Sequence, residues 1–275
     1  MSDEDISLDE KRVFEDRRGT AHVFVASDLG LARVEVSDDQ IGRFGLEHRG
    51  ETRDVAVSER DETIAIATDE DVLIDDGQGF ERTEFGPAVA VAFDDAPLAA
   101  DADGHLARYA DGTWTVVART GASVRAMDGN LLATAVGVYR LDRDEDDPGV
   151  GLADVRDVAS TGPYAATGAG LYHLEGGVWR AERRGDGTVV AAGAGGAAAV
   201  LDGAVLEREI DGWAAANCPA SDVADLAVGQ ATYAVTSEGQ LFVDAPTAKD
   251  GAEGWATRSL GLAGVRHITV LEPTA

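Results

Sequence analysis

Four short stretches of this sequence repeat one frame of charged and apolar residues. They read Arg53-Asp-Val-Ala56, Arg156-Asp-Val-Ala159, Ala224-Asp-Leu-Ala227 and Arg266-His-Ile-Thr269, and Arg125 sits near the same level in Ser123-Val-Arg-Ala126. A guanidinium fork matches a carboxylate or phosphate in two parallel bonds, so Arg53, Arg125, Arg156 and Arg266 brought together would bind a small anion. Asp54, Asp157, Asp225 and His267 beside them could work as acids and bases in a hydrolase or lyase. The same groups could instead neutralise one another in an ion-pair ring that locks units together, and the adjacency of Arg and Asp favours that ring. Fully paired arginines would mark a structural ring, and unpaired arginines over an open pocket would mark an anion site. A carboxylate with a raised pKa in an apolar pocket would mark catalysis.

Other candidates fall short of their templates. Asp142, Asp144 and Asp146, followed by Gly149, resemble the start of a calcium loop, but Ala153 stands where the bidentate Glu belongs. His22, His48, His105, His173 and His267 form no H-x-H or H-x-x-x-H pair, so no zinc or iron site is expected. Cys218, in Asn217-Cys-Pro219, lacks a patterned His or Asn partner. There is no phosphate-binding G-x-x-x-x-G-K-[ST] loop, and the run Ala191–Ala199 reads as a small-residue strand. The sequence therefore names no catalytic residue, no metal and no cofactor.

What would position such a ring is a repeat. Ala67-Thr-Asp-Glu-Asp-Val-Leu73 recurs as Ala100–Leu106, Ala133–Tyr139, Ala166–Tyr172 and Ala199–Val205, so that Asp71, Gly104, Gly137, Gly170 and Gly203 follow one another every 33 residues. Outlying copies at Ala26–Ala32 and Val235–Leu241 make seven. Within a unit, alternating runs such as Thr63–Ala67 are bounded by Gly and Asp turns, which signals short antiparallel strands. Left-handed φ in the repeated turn is expected for its glycines and for Asp71. Four strands in each of seven units is the arithmetic of an all-β, seven-bladed β-propeller. Blades are expected near 51–86, 87–121, 122–153, 154–186, 187–221 and 222–264. The N-terminal unit 21–50 offers only three strands, so Val265–Val270 is expected to join it beside His22–Ala26 and close the ring. Residues 1–20 would be an acidic arm and 21–275 a single propeller domain. Blade four is the weak one, because Asp142–Gly149 interrupts its outer strand. In the ring, the starts of the inner strands lie on one face, which gathers the arginines, aspartates and His267 at one mouth of the axial channel.

Phe80, Trp114, Trp179, Trp213 and Trp255 open outer strands after turns such as Asp111-Gly-Thr-Trp114, and read as packing plugs between blades. These turns resemble degraded Asp-box repeats of sialidase-like propellers, in which the box is structural. The full length resembles the small cytosolic β-propellers of halophilic archaea, a family of unassigned function. The likeness rests on Glu4-Asp-Ile-Ser-Leu-Asp-Glu-Lys-Arg-Val13, Val23-Phe-Val-Ala-Ser-Asp-Leu-Gly-Leu-Ala-Arg-Val34 and Ile41-Gly-Arg-Phe-Gly-Leu46. It implies a fold and a cytoplasmic location, not an activity. Composition agrees with that origin. The chain of 275 residues has 23 basic and 51 acidic side chains, a net charge of −28, and its lysines are Lys11 and Lys249. Molar salt screens such repulsion, since the Debye length falls to about 3 Å. The charge disfavours nucleic acid, no apolar run is long enough to span a bilayer, and one cysteine forms no internal disulfide. The reading is a monomeric, non-catalytic scaffold for protein-protein interaction, with a channel-mouth anion binder or an enzyme as alternatives.

Overall fold

The computed structural model describes residues 19–141, 152–245 and 254–273. Every regular element among them is a strand, and no helix is long and apolar enough to cross a membrane. The strands make seven antiparallel sheets arranged as the blades of a propeller. Blade 2 shows the pattern: Thr52–Val57, Ile64–Thr68, Val72–Asp75 and Glu81–Arg82 run from the axis outward. Blades 3, 5, 6 and 7 repeat it with inner strands Ala90–Phe93, Val155–Ala159, Gly187–Gly193 and Val223–Val228. Blade 4, with inner strand Val124–Asp128, shows three strands among the described residues.

Blade 1 takes its inner strand from the other end of the chain. His267–Leu271 pairs antiparallel with Ala21–Ser27 through Ala26 opposite His267 and His22 opposite Leu271. The N-terminal unit thus acquires its fourth strand as the alternation requires, and no sheet edge is left between first and last blades.

The core is divided into seven seams, one between each pair of neighbouring blades, because two-residue alternation sends apolar side chains to both faces of every sheet. The seam that closes the ring, between blades 7 and 1, is the largest, and it buries Ile268 and Val265 against Val23, Val25 and Tyr233. The periodic aromatics each enter the seam toward the preceding blade. Phe80 lies between blades 1 and 2, Trp114 between 2 and 3, Trp179 between 4 and 5, Trp213 between 5 and 6, and Trp255 between 6 and 7.

The 33-residue repeat is the turn between second and third strands. Its Ser or Thr hydroxyl reaches across to the carbonyl three residues on: Ser27 to Gly30, Thr68 to Asp71, Thr134 to Gly137 and Thr167 to Gly170. Gly104 has φ +81°, and a Cβ there would run into the Ala122 carbonyl oxygen. The expectation of a left-handed φ fails at Gly137, which is absent from the positive-φ residues, and likewise at Asp71. Asp71 is buried instead, and its carboxylate accepts N–H bonds from Val72, Glu84, Phe85 and Gly86 at 2.8–3.1 Å.

Candidate functional site: the axial channel

A feature invisible in the alternation sets the geometry of the channel. The inner strands of five blades shift register at one and the same level: between Thr52 and Asp54, Val124 and Ala126, Val155 and Asp157, Gly187 and Val189, and Val223 and Asp225. A bulge sets two residues against one and re-aims their side chains. The extra residues are Arg53, Arg125, Arg156, Thr188 and Ala224, and each is followed by the residue that takes the next level inward.

At the outer level the arginines are paired, and each makes at least one bond to the following blade. Arg53 donates Nε to Glu51 (3.3 Å) and Nη1 to the Ala88 carbonyl of blade 3 (3.3 Å). Arg125 donates Nη1 to Asp154 (2.7 Å) and to the Val155 carbonyl of blade 5 (3.1 Å). Arg156 meets Asp154 at 3.4 Å and Asp186, at the edge of blade 6, at 2.8 Å. Arg266 meets Glu51 at 2.6 Å and Asp28 at 2.7 Å. Glu51 and Asp154 each serve two arginines, and hydrogen bonds from Arg266 and Arg53, and from Arg125, hold their carboxyls below the usual range.

The expectation that Asp54, Asp157 or Asp225 would pair with these arginines is not met. The described partners are Glu51, Asp154, Asp186 and Asp28, which precede the inner strands or lie in turns. The three aspartates face inward, because an innermost strand leaves its axial N–H groups without a sheet partner. Asp54 accepts from Val55 N (2.9 Å) and from Val91 N of blade 3 (2.8 Å). Asp157 accepts from Val158 N and from Val190 N of blade 6, both at 2.8 Å. Asp225 accepts from Ile268 N of blade 1 (2.8 Å). Each one fastens its blade to the next.

His267 takes this level in blade 1. Its Nδ1 lies 3.1 Å from Asp225 of blade 7 and 3.3 Å from Asp54 of blade 2, so it bridges the two neighbours of the closing strand. Burial alone lowers its pKa, but Asp54, Asp225, Asp157 and Asp128 outweigh that and lift it to about 9. Burial, with Asp225 adding to it, pushes Asp157 up to about 8, and burial also raises Asp54 and Asp225. The carboxyls of Asp54, Asp157 and Asp225 share protons around the imidazolium rather than all ionise.

This layer separates two cavities that share Met127 and His267. One, of about 460 Å³, opens at the arginine mouth. The other, of about 750 Å³, opens on the opposite face and has Asp94, Asp95, Asp128 and Glu272 among its walls.

A family model described as HVO_0234-like beta propeller matches residues 7–271. The chain belongs to that family. No curated protein matches it. Solved structures with the same fold include the nidogen/laminin complex (10% identity, TM-score 0.55, covering 91% of this chain and 98% of that one). YCF48 bound to D1 peptide gives 14%, 0.56, 82% and 93% in the same order. Apo AztD from Citrobacter koseri gives 11%, 0.54, 93% and 99%. Identities this low speak for the fold alone.

In this member of the family the structure adds residues that the sequence reading passed over. Glu51 and Asp154 lie one or two residues before the bulged arginines, outside the alternating frame, and their position just before an inner strand was the available signal. Asp101, Asp103 and His105 cluster in the blade 3 turn. There Asp101 caps the turn through Asp103 N and His105 N (both 2.9 Å) and holds His105 Nδ1 at 2.8 Å, so the cluster has a full structural account. Asp142, Asp144 and Asp146 lie outside the described residues.

Proposed function

We propose that the protein is a non-catalytic propeller scaffold of a high-salt cytoplasm that offers the loops around its arginine mouth to a protein partner. One observation carries this reading: the charged residues of the inner strands are committed to neighbouring blades. Both carboxylate oxygens of Asp54 and of Asp157 accept backbone N–H groups, one of each pair from the next blade, which is the work of a blade fastener. The raised pKa of Asp157 thus accompanies a construction role. On the arginine face, the second-to-third-strand turns of blades 1 and 4 carry Leu29 and Val136 at 50% and 62% exposure, on opposite sides of the mouth. The fold admits such partners in other proteins, as in YCF48 with D1 peptide.

The test is capture from a halophilic host in molar KCl, comparing wild type with Leu29→Asp/Val136→Asp and with Ile210→Asp, whose turn lies on the opposite face. A partner lost by the first variant and kept by the second supports the reading. Equal capture by all three, or no partner with any, overturns it. The salt requirement is separately measurable. Melting temperature should climb from low to molar KCl as the repulsion of 28 net negative charges is screened, and a flat profile contradicts a high-salt home.

A further inference from the structure

The ring of inner-strand charges is interrupted at the adjacent blades 3 and 4, and again at blade 6. The hydrogen bonds from Asp54 to Val91, Asp157 to Val190 and Asp225 to Ile268 set the register around the axis. In that register blade 3 carries Val89, blade 6 Thr188 and blade 7 Ala224 where blades 1, 2, 4 and 5 carry arginine. One level inward, blades 3, 4 and 6 carry Ala90, Ala126 and Val189 where blades 1, 2, 5 and 7 carry His267, Asp54, Asp157 and Asp225.

Beside blades 3 and 4, where Val89 and Ala126 stand in place of charged residues, lies the cavity of about 460 Å³. Its volume falls within the range of small-ligand sites, about 300–1,000 Å³. Its wall has two characters. Arg53, Arg125, Arg266 and His267 face Glu51 and Asp54, an excess of cations in a chain of net charge −28, while Val89, Ala126 and Met127 make an apolar side. The guanidinium groups are already held in place by carboxylates and by carbonyls of the following blade, so a ligand would meet them preorganised. The bonds described for Arg125 run through Nη1 toward blade 5, which leaves its Nε–Nη2 edge for a second carboxylate.

We propose that this cavity binds a small organic acid, its carboxylate on the guanidinium groups of Arg125 and its neighbours and its short apolar body against Val89, Ala126 and Met127. An inorganic anion would satisfy the cations but leave the apolar side uncovered, and a neutral apolar molecule would leave the cations unused. The site stands independently of the scaffold reading, because a free acid can bind whether or not a protein docks on the same face.

The experiment is a ligand-observed NMR titration at constant KCl, with butyrate as the probe and inorganic phosphate as the comparison. Butyrate should bind wild type and phosphate should bind at least about tenfold more weakly. Arg125→Gln, which removes the charge, and Val89→Leu, which fills the apolar side, should each weaken butyrate by about tenfold. Val89→Leu keeps every ion pair, so it reports on the cavity even if Arg125→Gln unfolds. Absence of butyrate binding to wild type, phosphate binding as tightly as butyrate, or butyrate binding unchanged in folded Val89→Leu overturns the proposal.

Discussion

The two mouths of one channel solve opposite electrostatic problems. At the arginine mouth, guanidinium groups from four blades, three of them on bulges, share Glu51 and Asp154 between them. At the opposite mouth, carboxylates predominate, and the pairs that do form are sparse. Asp94 meets Arg108 at 2.9 Å, Arg60 meets Asp95 at 3.6 Å between largely exposed side chains, and Asp128 turns to Ser160 N at 2.6 Å. One inserted residue per blade, three times an arginine, brings cations to this mouth, where with Arg266 they offset Glu51, Asp154, Asp186 and Asp28. Between the mouths, the buried layer of Asp54, Asp157, Asp225 and His267 belongs to neither. There Asp54, Asp157 and Asp225 each take a backbone N–H of the following blade, and Asp54 and Asp157 take a second from their own.

That contrast ranks the consequences of breaking each layer. The largest effect should come from His267→Gln in the buried layer. It leaves Asp54 and Asp225, with side chains 8% and 9% exposed, facing each other without a cation. Loss of one partner of a fully buried pair costs about 3–5 kcal/mol; the His267 side chain is 32% exposed, so denaturant unfolding in molar KCl should show a loss at the lower end of that range. Asp54→Ala comes next. It orphans the Val91 N–H at the seam between blades 2 and 3, for about 1–3 kcal/mol by the same measurement. Arg156→Ala at the open mouth should be smallest. Its partners Asp154 and Asp186 are half exposed, and exposed pairs contribute about 0–1 kcal/mol, less in salt. If Arg156→Ala cost as much as His267→Gln, the distinction between mouth and buried layer would fail.

The layers should also part company along the pH axis. Glu51 and Asp154 have lowered pKa values, so their contribution is present above the ordinary carboxylate range and is lost as pH falls through their folded values. His267 has a raised value, so its contribution is complete below about 6.5 and is lost as pH rises through about 9. Asp157, raised to about 8, works in the same direction, because the folded state holds its proton to higher pH than the unfolded chain does. Stability should therefore decline from neutral pH toward pH 9, and His267→Gln should flatten the upper part of that decline.

The architecture was legible in the sequence because the repeat recurs at a fixed interval. The orphan strand Val265–Val270 had the inner-strand pattern and only one unit short of a strand to join. The aromatic plugs were legible for the same reason. The bulges were not, since an extra residue is a backbone event that leaves the residue types unchanged. The bulges are also why Asp54, Asp157 and Asp225 were expected beside the arginines and are found on backbone N–H groups instead. A left-handed φ was expected at Asp71 because glycine stands at its place in the six other copies. Its burial and its four N–H bonds depend on the return of the outer strand, which local sequence does not disclose.

The account turns on an imidazolium clamped between three blades. An NMR titration of the five histidines, with the His267 signal assigned by its disappearance in His267→Gln, tests this most directly. The account predicts a midpoint for His267 near 9 and an imidazole still protonated at neutral pH. A midpoint at or below the ordinary value of about 6.5 would contradict it.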